Sequence, residues 1–263
     1  MAAAARVGRT TPCCTIHMMI DVVSAYQKAK KRLFLLDYDG TLVGFEPLPE
    51  LAKPSPDLLS LLKKLTDDPH NTVAIVSGRS HQPFDSWFDE LPLTVFAEHG
   101  AMLKQPGQEW EILLRQGDDW NTPVQKLMQK AVDHVAGSFI EEKTIGHVWH
   151  YRAAPDQALA ESTAAQLKND LTSVAAQHDL LITASKRMVE VRLKSAHKGT
   201  AVIHALDKSY DFILAAGDDL TDEDIFAALP PSAFTIKIGP DATIAKHRLP
   251  SYEAFLDLLK NLG

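Results

Sequence analysis

Two acidic clusters raise the chemical question. The segment LFLLDYDGTL places Asp37, Asp39 and Gly40 directly after the apolar run Leu33–Leu36. A continuous apolar run of this kind reads as a strand buried on both faces of a parallel sheet. Ligands of open α/β sheets bind where such strands end, so Asp37 stands where a nucleophile would sit. Asp-x-Asp alone is common by chance; the strand before it and the Gly-Thr after it make the pattern informative. The competing readings are a turn rich in Asp and Gly and a calcium loop. The calcium loop fails because Gly40 is the fourth residue counted from Asp37, where an EF-hand needs its glycine at the sixth position.

The second cluster is GDDLTDED, following the apolar FILAA of residues 212–216, and its acids are Asp218, Asp219, Asp222, Glu223 and Asp224. Acids this dense repel one another unless a cation sits among them, and hard oxygen ligands favour Mg²⁺. Asp218, nearest the strand, is the leading ligand and Asp222 a further candidate; the later acids also suit the start of a helix. Two more strand ends carry groups suited to phosphate. TVAIVSGR supplies Ser77, Gly78 and Arg79, with a hydroxyl and backbone N–H groups. AHKGTAV supplies Lys198, a point charge at a helix start. Either alone reads as an ordinary helix cap or a solvated lysine.

The elements that must position these groups alternate along the chain. Apolar runs at 33–36, 72–76, 93–97, 212–216 and 234–238 predict buried strands. Helices are expected between them, over about 20–31, from Ser55-Pro56, over 198–206, 221–229 and 251–262. This predicts an α/β fold with a doubly wound parallel sheet. The middle of the chain reads differently. Helices from Thr122-Pro123 and over about 155–177 accompany HVWHYR at 147–152, LLITA at 180–184 and MVEVRL at 188–193. HVWHYR and MVEVRL alternate in polarity, which implies one covered and one open face. Residues 105–190 are therefore expected to form an inserted α+β unit. The core is assigned to 26–104 and 191–263, with hinges near 104–118 and 191–196, and 1–25 to a flexible tail.

Composition narrows the class. The chain has 263 residues, 45% hydrophobic and 23% charged, with a net charge of −7. That length buries enough surface to fold without staples. The charge argues against nucleic acid and membrane surfaces as partners. No apolar stretch is long enough to span a membrane. Cys13 and Cys14 are adjacent and ill placed for a disulfide, which suits a cytoplasmic location. The first 20 residues lack acids and carry Arg6 and Arg9, a faint likeness to a transit peptide, but a frayed tail is the simpler expectation.

The order DxDGT, Ser77, Lys198, GDD resembles the haloacid-dehalogenase-like (HAD) phosphohydrolases. The resemblance implies a Rossmannoid core with a C2B-type cap and Mg²⁺ as cofactor. Asp37 would be the nucleophile and Asp39 the general acid/base, with Asp37, Asp39 and Asp218 as metal ligands and Ser77 and Lys198 steadying the phosphate. Further motifs extend the likeness from about residue 26 to the C-terminus: AEHG at 97–100, SFIEEKTIGHVWHYR at 138–152, KRMVEVR at 186–192 and GDDLTDE. Together they resemble trehalose-6-phosphate phosphatases, above all the phosphatase half of fused synthase–phosphatase proteins.

That resemblance implies trehalose 6-phosphate as substrate and association with a synthase as a candidate partnership. It implies Arg79, Glu98, His99, Glu141, Lys143, Arg152, Lys186 and Glu190 as substrate-binding residues. Read without it, Glu141-x-Lys143 is a solvated pair on one strand face, and Arg152 with Glu190 a surface ion pair of little worth. Leu220 after GDD and Ala196-His197 before Lys198 depart from the family's usual residues but remove no reactive group. Two other readings stay open. One is a HAD phosphatase for a different sugar phosphate; the other is a receiver-like module that holds phosphate on Asp37, against which Asp39 speaks.

Overall fold

The computed structural model describes residues 12–46, 48–114, 117–185, 187–206 and 209–263. Eight strands form the larger sheet: β1 (Arg32–Leu36), β2 (Asn71–Val76), β3 (Thr94–Ala97), β4 (Met102–Lys104), β5 (Glu111–Ile112), then β10 (Phe212–Gly217), β11 (Phe234–Ile238) and β12 (His247–Leu249). Their order is β12-β11-β10-β1-β2-β3-β4-β5. Neighbours are parallel from β12 to β3, and β4 and β5 add on antiparallel. Every residue of β1 is buried, as its unbroken apolar run requires. Leu33 and Leu35 pack with α6 (Gly199–Ala205) and α7 (Glu223–Ala228). Phe34 and Leu36 pack on the opposite face with α1 (Pro12–Lys28), α2 (Pro56–Asp67), α3 (Gln82–Phe88) and α8 (Tyr252–Lys260).

The smaller sheet has the order β6-β7-β9-β8, antiparallel throughout: β6 (Phe139–Glu142), β7 (Gly146–His150), β8 (Leu180–Ser185) and β9 (Met188–Leu193). Trp149, Val189 and Val191 face α4 (Asn121–His134) and α5 (Gln157–Gln177), where Met128, Leu167 and Leu171 complete a second apolar cluster. Strand alternation sends Glu141, Val148, His150 and Glu190 to the other face. That face was expected to be open. Instead Val148, Glu190 and Arg192 are buried, because the face turns toward the larger sheet.

Other expectations shift as well. α1 begins at Pro12, and Met18 and Val22 are buried, so residues 18–25 of the expected tail belong to a packed helix. β5 joins the larger sheet beyond residue 104, and β9 continues the smaller one to Leu193. Both strands cross the boundaries drawn from sequence. β4, β5 and β12 are two or three residues each and leave no periodic signal. Among the described residues no helix is long and apolar enough to cross a membrane.

Lys237 is almost wholly buried in β11, where its ammonium donates to the backbone carbonyls of Asp218 (2.7 Å) and Asp219 (3.1 Å). It anchors the acidic loop from below. Lys237→Met should leave both carbonyls short of a donor and cost about 1–3 kcal/mol, read as a melting temperature lowered by several degrees with weaker Mg²⁺ binding.

Candidate active site

The site is built from strand ends. The Asp37 backbone N–H donates to the Ala216 carbonyl (3.0 Å), which continues the pairing of β1 with β10 and carries Asp37 to the C-terminal edge of the sheet. Tyr38 turns the opposite way into the core, its hydroxyl donating to the Ala52 carbonyl (2.8 Å). Gly40 then bends the chain at φ 85°. Only glycine suits this position, because the left-handed backbone disfavours a side chain and a Cβ would collide with the Asp218 carboxylate.

Lys198, at the start of α6, reaches between two acids. Its ammonium donates to Asp37 Oδ1 (2.5 Å) and Asp222 Oδ1 (2.7 Å), and all three residues are buried. Burial alone would depress the lysine, but Asp222 and Asp37 outweigh it and hold the ammonium above its ordinary range. Asp37 is pushed the other way. Burial first, then Asp222 and Asp218, raise it well above the usual carboxylate value despite Lys198. One oxygen each of Asp37, Asp218 and Asp222 lie within 4.8 Å of one another, and Asp37 Oδ2 is buried without a hydrogen-bond partner. Buried oxygens crowded in this way fit a hard divalent cation. Asp222 also accepts the Asp219 N–H (2.9 Å), so hydrogen bonds engage both of its oxygens.

Asp39 lies apart from this cluster. Arg79 grips its carboxylate with two bonds of 2.6 Å and also donates to the Pro49 carbonyl (2.7 Å). The Asp39 carboxylate expected as a metal ligand therefore faces Arg79. Ser77 is buried at the end of β2, and its Oγ accepts the Arg79 N–H (3.1 Å).

Five of the remaining predicted residues, Glu98, His99, Glu141, Lys143 and Glu190, gather where the smaller sheet meets the larger. Lys143 donates to Glu190 Oε1 (2.8 Å) and to the Gly78 carbonyl (2.9 Å) across the interface. Burial opposes the charge on Lys143, but Glu190 and Glu141 hold the ammonium above its ordinary value. Glu190 is held well below the usual range although burial pushes it up, chiefly through Lys143. His99 Nε2 lies 3.6 Å from Glu190 Oε2, and burial depresses this imidazole. Glu98 is wholly buried and accepts the Ile145 N–H (3.1 Å). Glu141 pairs with His150 (2.8 Å), which stacks on Phe139. Arg152 follows β7 instead of lying in it, is exposed, and donates to the Glu46 carbonyl (3.0 Å). Lys186 lies outside the described residues.

Sequence reasoning assigned no role to Lys237 or His150. Lys237 had a signal, a lone cation in the buried run FTIKI. His150 had none, since only the β6–β7 register sets it beside Glu141.

Comparison with known proteins bears on this geometry. The trehalose-phosphatase family profile matches residues 35–254. The bifunctional trehalose-6-phosphate synthase/phosphatase of Thermoproteus tenax is 44% identical over 240 residues, covering 91% of this chain and 33% of that protein. The Saccharomyces cerevisiae trehalose-phosphatase is 37% identical over 228 residues, covering 78% of this chain and 25% of that protein. The chain thus spans a third or less of these relatives' length. The solved C-terminal domain of Candida albicans trehalose-6-phosphate phosphatase superposes with a TM-score of 0.84 at 30% identity, covering 93% of this chain and 96% of that one. A haloacid-dehalogenase-like hydrolase from B. subtilis shares the fold, with a TM-score of 0.57 at 15% identity, covering 87% of this chain and 98% of that one.

Two outcomes are expected from this geometry. Gly40→Ala should shift Asp218 and abolish Mg²⁺ binding, read by calorimetry, while far-UV circular dichroism stays native. Glu190 has a folded pKa below its unfolded value of about 4.3, so its contribution to stability is complete above that pH. It is lost as pH falls through the lower folded value. Acid unfolding should therefore steepen below about pH 4, and Glu190→Gln should flatten that limb.

Proposed function

The chain belongs to the trehalose-phosphatase family of HAD-like hydrolases, and on that footing we propose that it hydrolyses trehalose 6-phosphate to trehalose and inorganic phosphate with Mg²⁺ as cofactor. One observation carries the reading beyond family membership. A buried Asp37–Lys198–Asp222 cluster at the strand ends lies beneath a sheet face bearing Glu141 and Glu190, beside Lys143.

Asp37 and Asp218 would hold the metal, with Asp222 steadying Lys198 from behind. Bound there, Mg²⁺ would neutralise the dianionic phosphate and draw it against the acids. Lys198 adds positive charge on the same side, and the Ser77 hydroxyl is placed to donate to a phosphoryl oxygen. An Asp37 oxygen attacks phosphorus in line as the bond to the sugar oxygen breaks, giving an aspartyl-phosphate. Asp39 protonates the departing sugar oxygen. It then takes a proton from the water that attacks phosphorus, releasing phosphate and restoring Asp37. For that cycle Asp39 must shed its Arg79 pair when it carries the proton, which frees the guanidinium for the phosphate.

The smaller unit acts as the cap. Glu141 and Glu190 accept from sugar hydroxyls, while Lys143, Arg152 and Lys186 donate. The cap also excludes water from the reacting phosphoryl group. A synthase is the proposed partner, since a relative named for both activities carries the similar region within a much longer chain. A cytoplasmic location fits a fold whose two cysteines are adjacent.

Phosphate release from trehalose 6-phosphate, sucrose 6-phosphate and glucose 6-phosphate tests the reading. Trehalose 6-phosphate should lead by at least about a hundredfold in kcat/KM. EDTA should stop turnover and added Mg²⁺ restore it. Asp37→Asn should lower kcat by roughly a thousandfold or more. A flat response across the panel would remove trehalose 6-phosphate as the substrate.

A further inference from the structure

The tip of the β6–β7 hairpin, residues 143–145, is driven into the larger unit. Lys143 N–H donates to the Gly146 carbonyl (2.8 Å) and closes the turn. From it the Lys143 ammonium reaches the Gly78 carbonyl (2.9 Å), and the Ile145 N–H meets Glu98 Oε2 (3.1 Å). We propose that Glu98 is a positioning residue that latches the cap closed, and that it makes no contact with the sugar. The proposal rests on the phosphatase reading above.

Burial is the first reason. Glu98 exposes no surface while the hairpin is seated, and its Oε2 is already engaged by the Ile145 N–H. The backbone is the second. Glu98 and His99 adopt φ values of 49° and 57°, a left-handed conformation that side chains other than glycine disfavour. Such outliers persist only where the surroundings over-determine them. Here the Glu98 N–H donates to the Arg79 carbonyl and the His99 N–H to the Ser77 carbonyl, both at 2.9 Å. The elbow that aims Glu98 at the cap is thus fastened to the loop carrying Ser77 and Arg79.

The third reason is the unequal treatment of the two carboxylate oxygens. Oε2 receives a charge-assisted bond from the cap. Oε1 is buried with no hydrogen-bond partner, and His81 Nδ1, at 3.7 Å, is too far to donate. A buried carboxylate with one donor is poorly compensated. Closure therefore gains a hydrogen bond and loses hydration at the same residue, which keeps it near balance. The bound sugar phosphate tips that balance. Because the same hairpin carries Lys143, Glu98 influences sugar recognition through the position of Lys143.

Amide hydrogen exchange at Ile145 reads the latch directly. The full chain is used with Mg²⁺ in an Asp37→Asn background, so that added trehalose 6-phosphate is not consumed. Glu98→Gln keeps an acceptor oxygen and sheds the buried charge, whereas Glu98→Ala removes the acceptor. Adding the sugar phosphate should slow Ile145 exchange at least tenfold in the parent. Glu98→Gln should show slowed exchange even without it, and Glu98→Ala should not respond. With Asp37 restored, Glu98→Ala should raise KM for trehalose 6-phosphate about tenfold with a smaller change in kcat, and Glu98→Gln should return KM to within about threefold of the parent. Unchanged Ile145 protection and KM in Glu98→Ala would overturn the latch. So would a parent that turns over trehalose 6-phosphate without protecting Ile145, or a Glu98→Gln variant as impaired as Glu98→Ala. Absence of trehalose 6-phosphate turnover by the unmodified enzyme would overturn the phosphatase reading, and the latch with it.

Discussion

A lysine ammonium held between two buried aspartates is the contact on which the rest of this site depends. Three acids at neighbouring strand ends, two buried and one half-buried, would repel one another and resist ionisation. Lys198 offsets part of that cost by meeting Asp37 and Asp222 at once. It can do so because α6 begins beside the acidic loop and packs against α7 on the same face of the sheet. Breaking a buried pair from one side leaves an uncompensated charge, so the geometry tolerates little drift in any of the three residues. Gly40 and Lys237 serve the same end. One leaves room for Asp218, and the other holds the carbonyls of the loop that carries it.

The charge left over points to the chemistry. With one ammonium among three carboxylates the cluster still carries excess negative charge, and the buried Asp37 Oδ2 lacks a donor. A divalent cation would bring that charge to zero, so a phosphate dianion approaching it would no longer meet a net negative site. The second unit places another buried ionic group over the first. Lys143 and Glu190 pair within it, and Lys143 also spans to the Gly78 carbonyl beside Ser77. The smaller unit is thus joined by polar contacts to the loop carrying Ser77 and Arg79 and to Glu98.

Much of this was legible along the chain. Apolar runs with acids at or just beyond their ends marked β1 and β10, and the acids, Ser77 and Lys198 fell at strand or helix ends. The long strands and helices carried their periodicity within single windows. The short strands β4, β5 and β12 did not, because two or three residues hold no period and owe their conformation to a neighbouring edge. Met18 and Val22 show the same limit at the other end of the chain. They belong to a helix whose burial is settled by the sheet it covers.

The amino-acid sequence by itself determined which groups are available and on which elements they ride, because burial and local periodicity are written in neighbouring residues. Only the tertiary structure decided what each group faces. Asp39 pairs with Arg79 away from the acid cluster, Glu98 is sealed beneath the hairpin, and Glu141 meets His150 through cross-strand register. The first joins residues 40 apart, the third depends on hairpin register, and the Glu98 contact depends on how one unit seats on the other. That seating comes from the packing of two separate cores, which no local window of sequence contains.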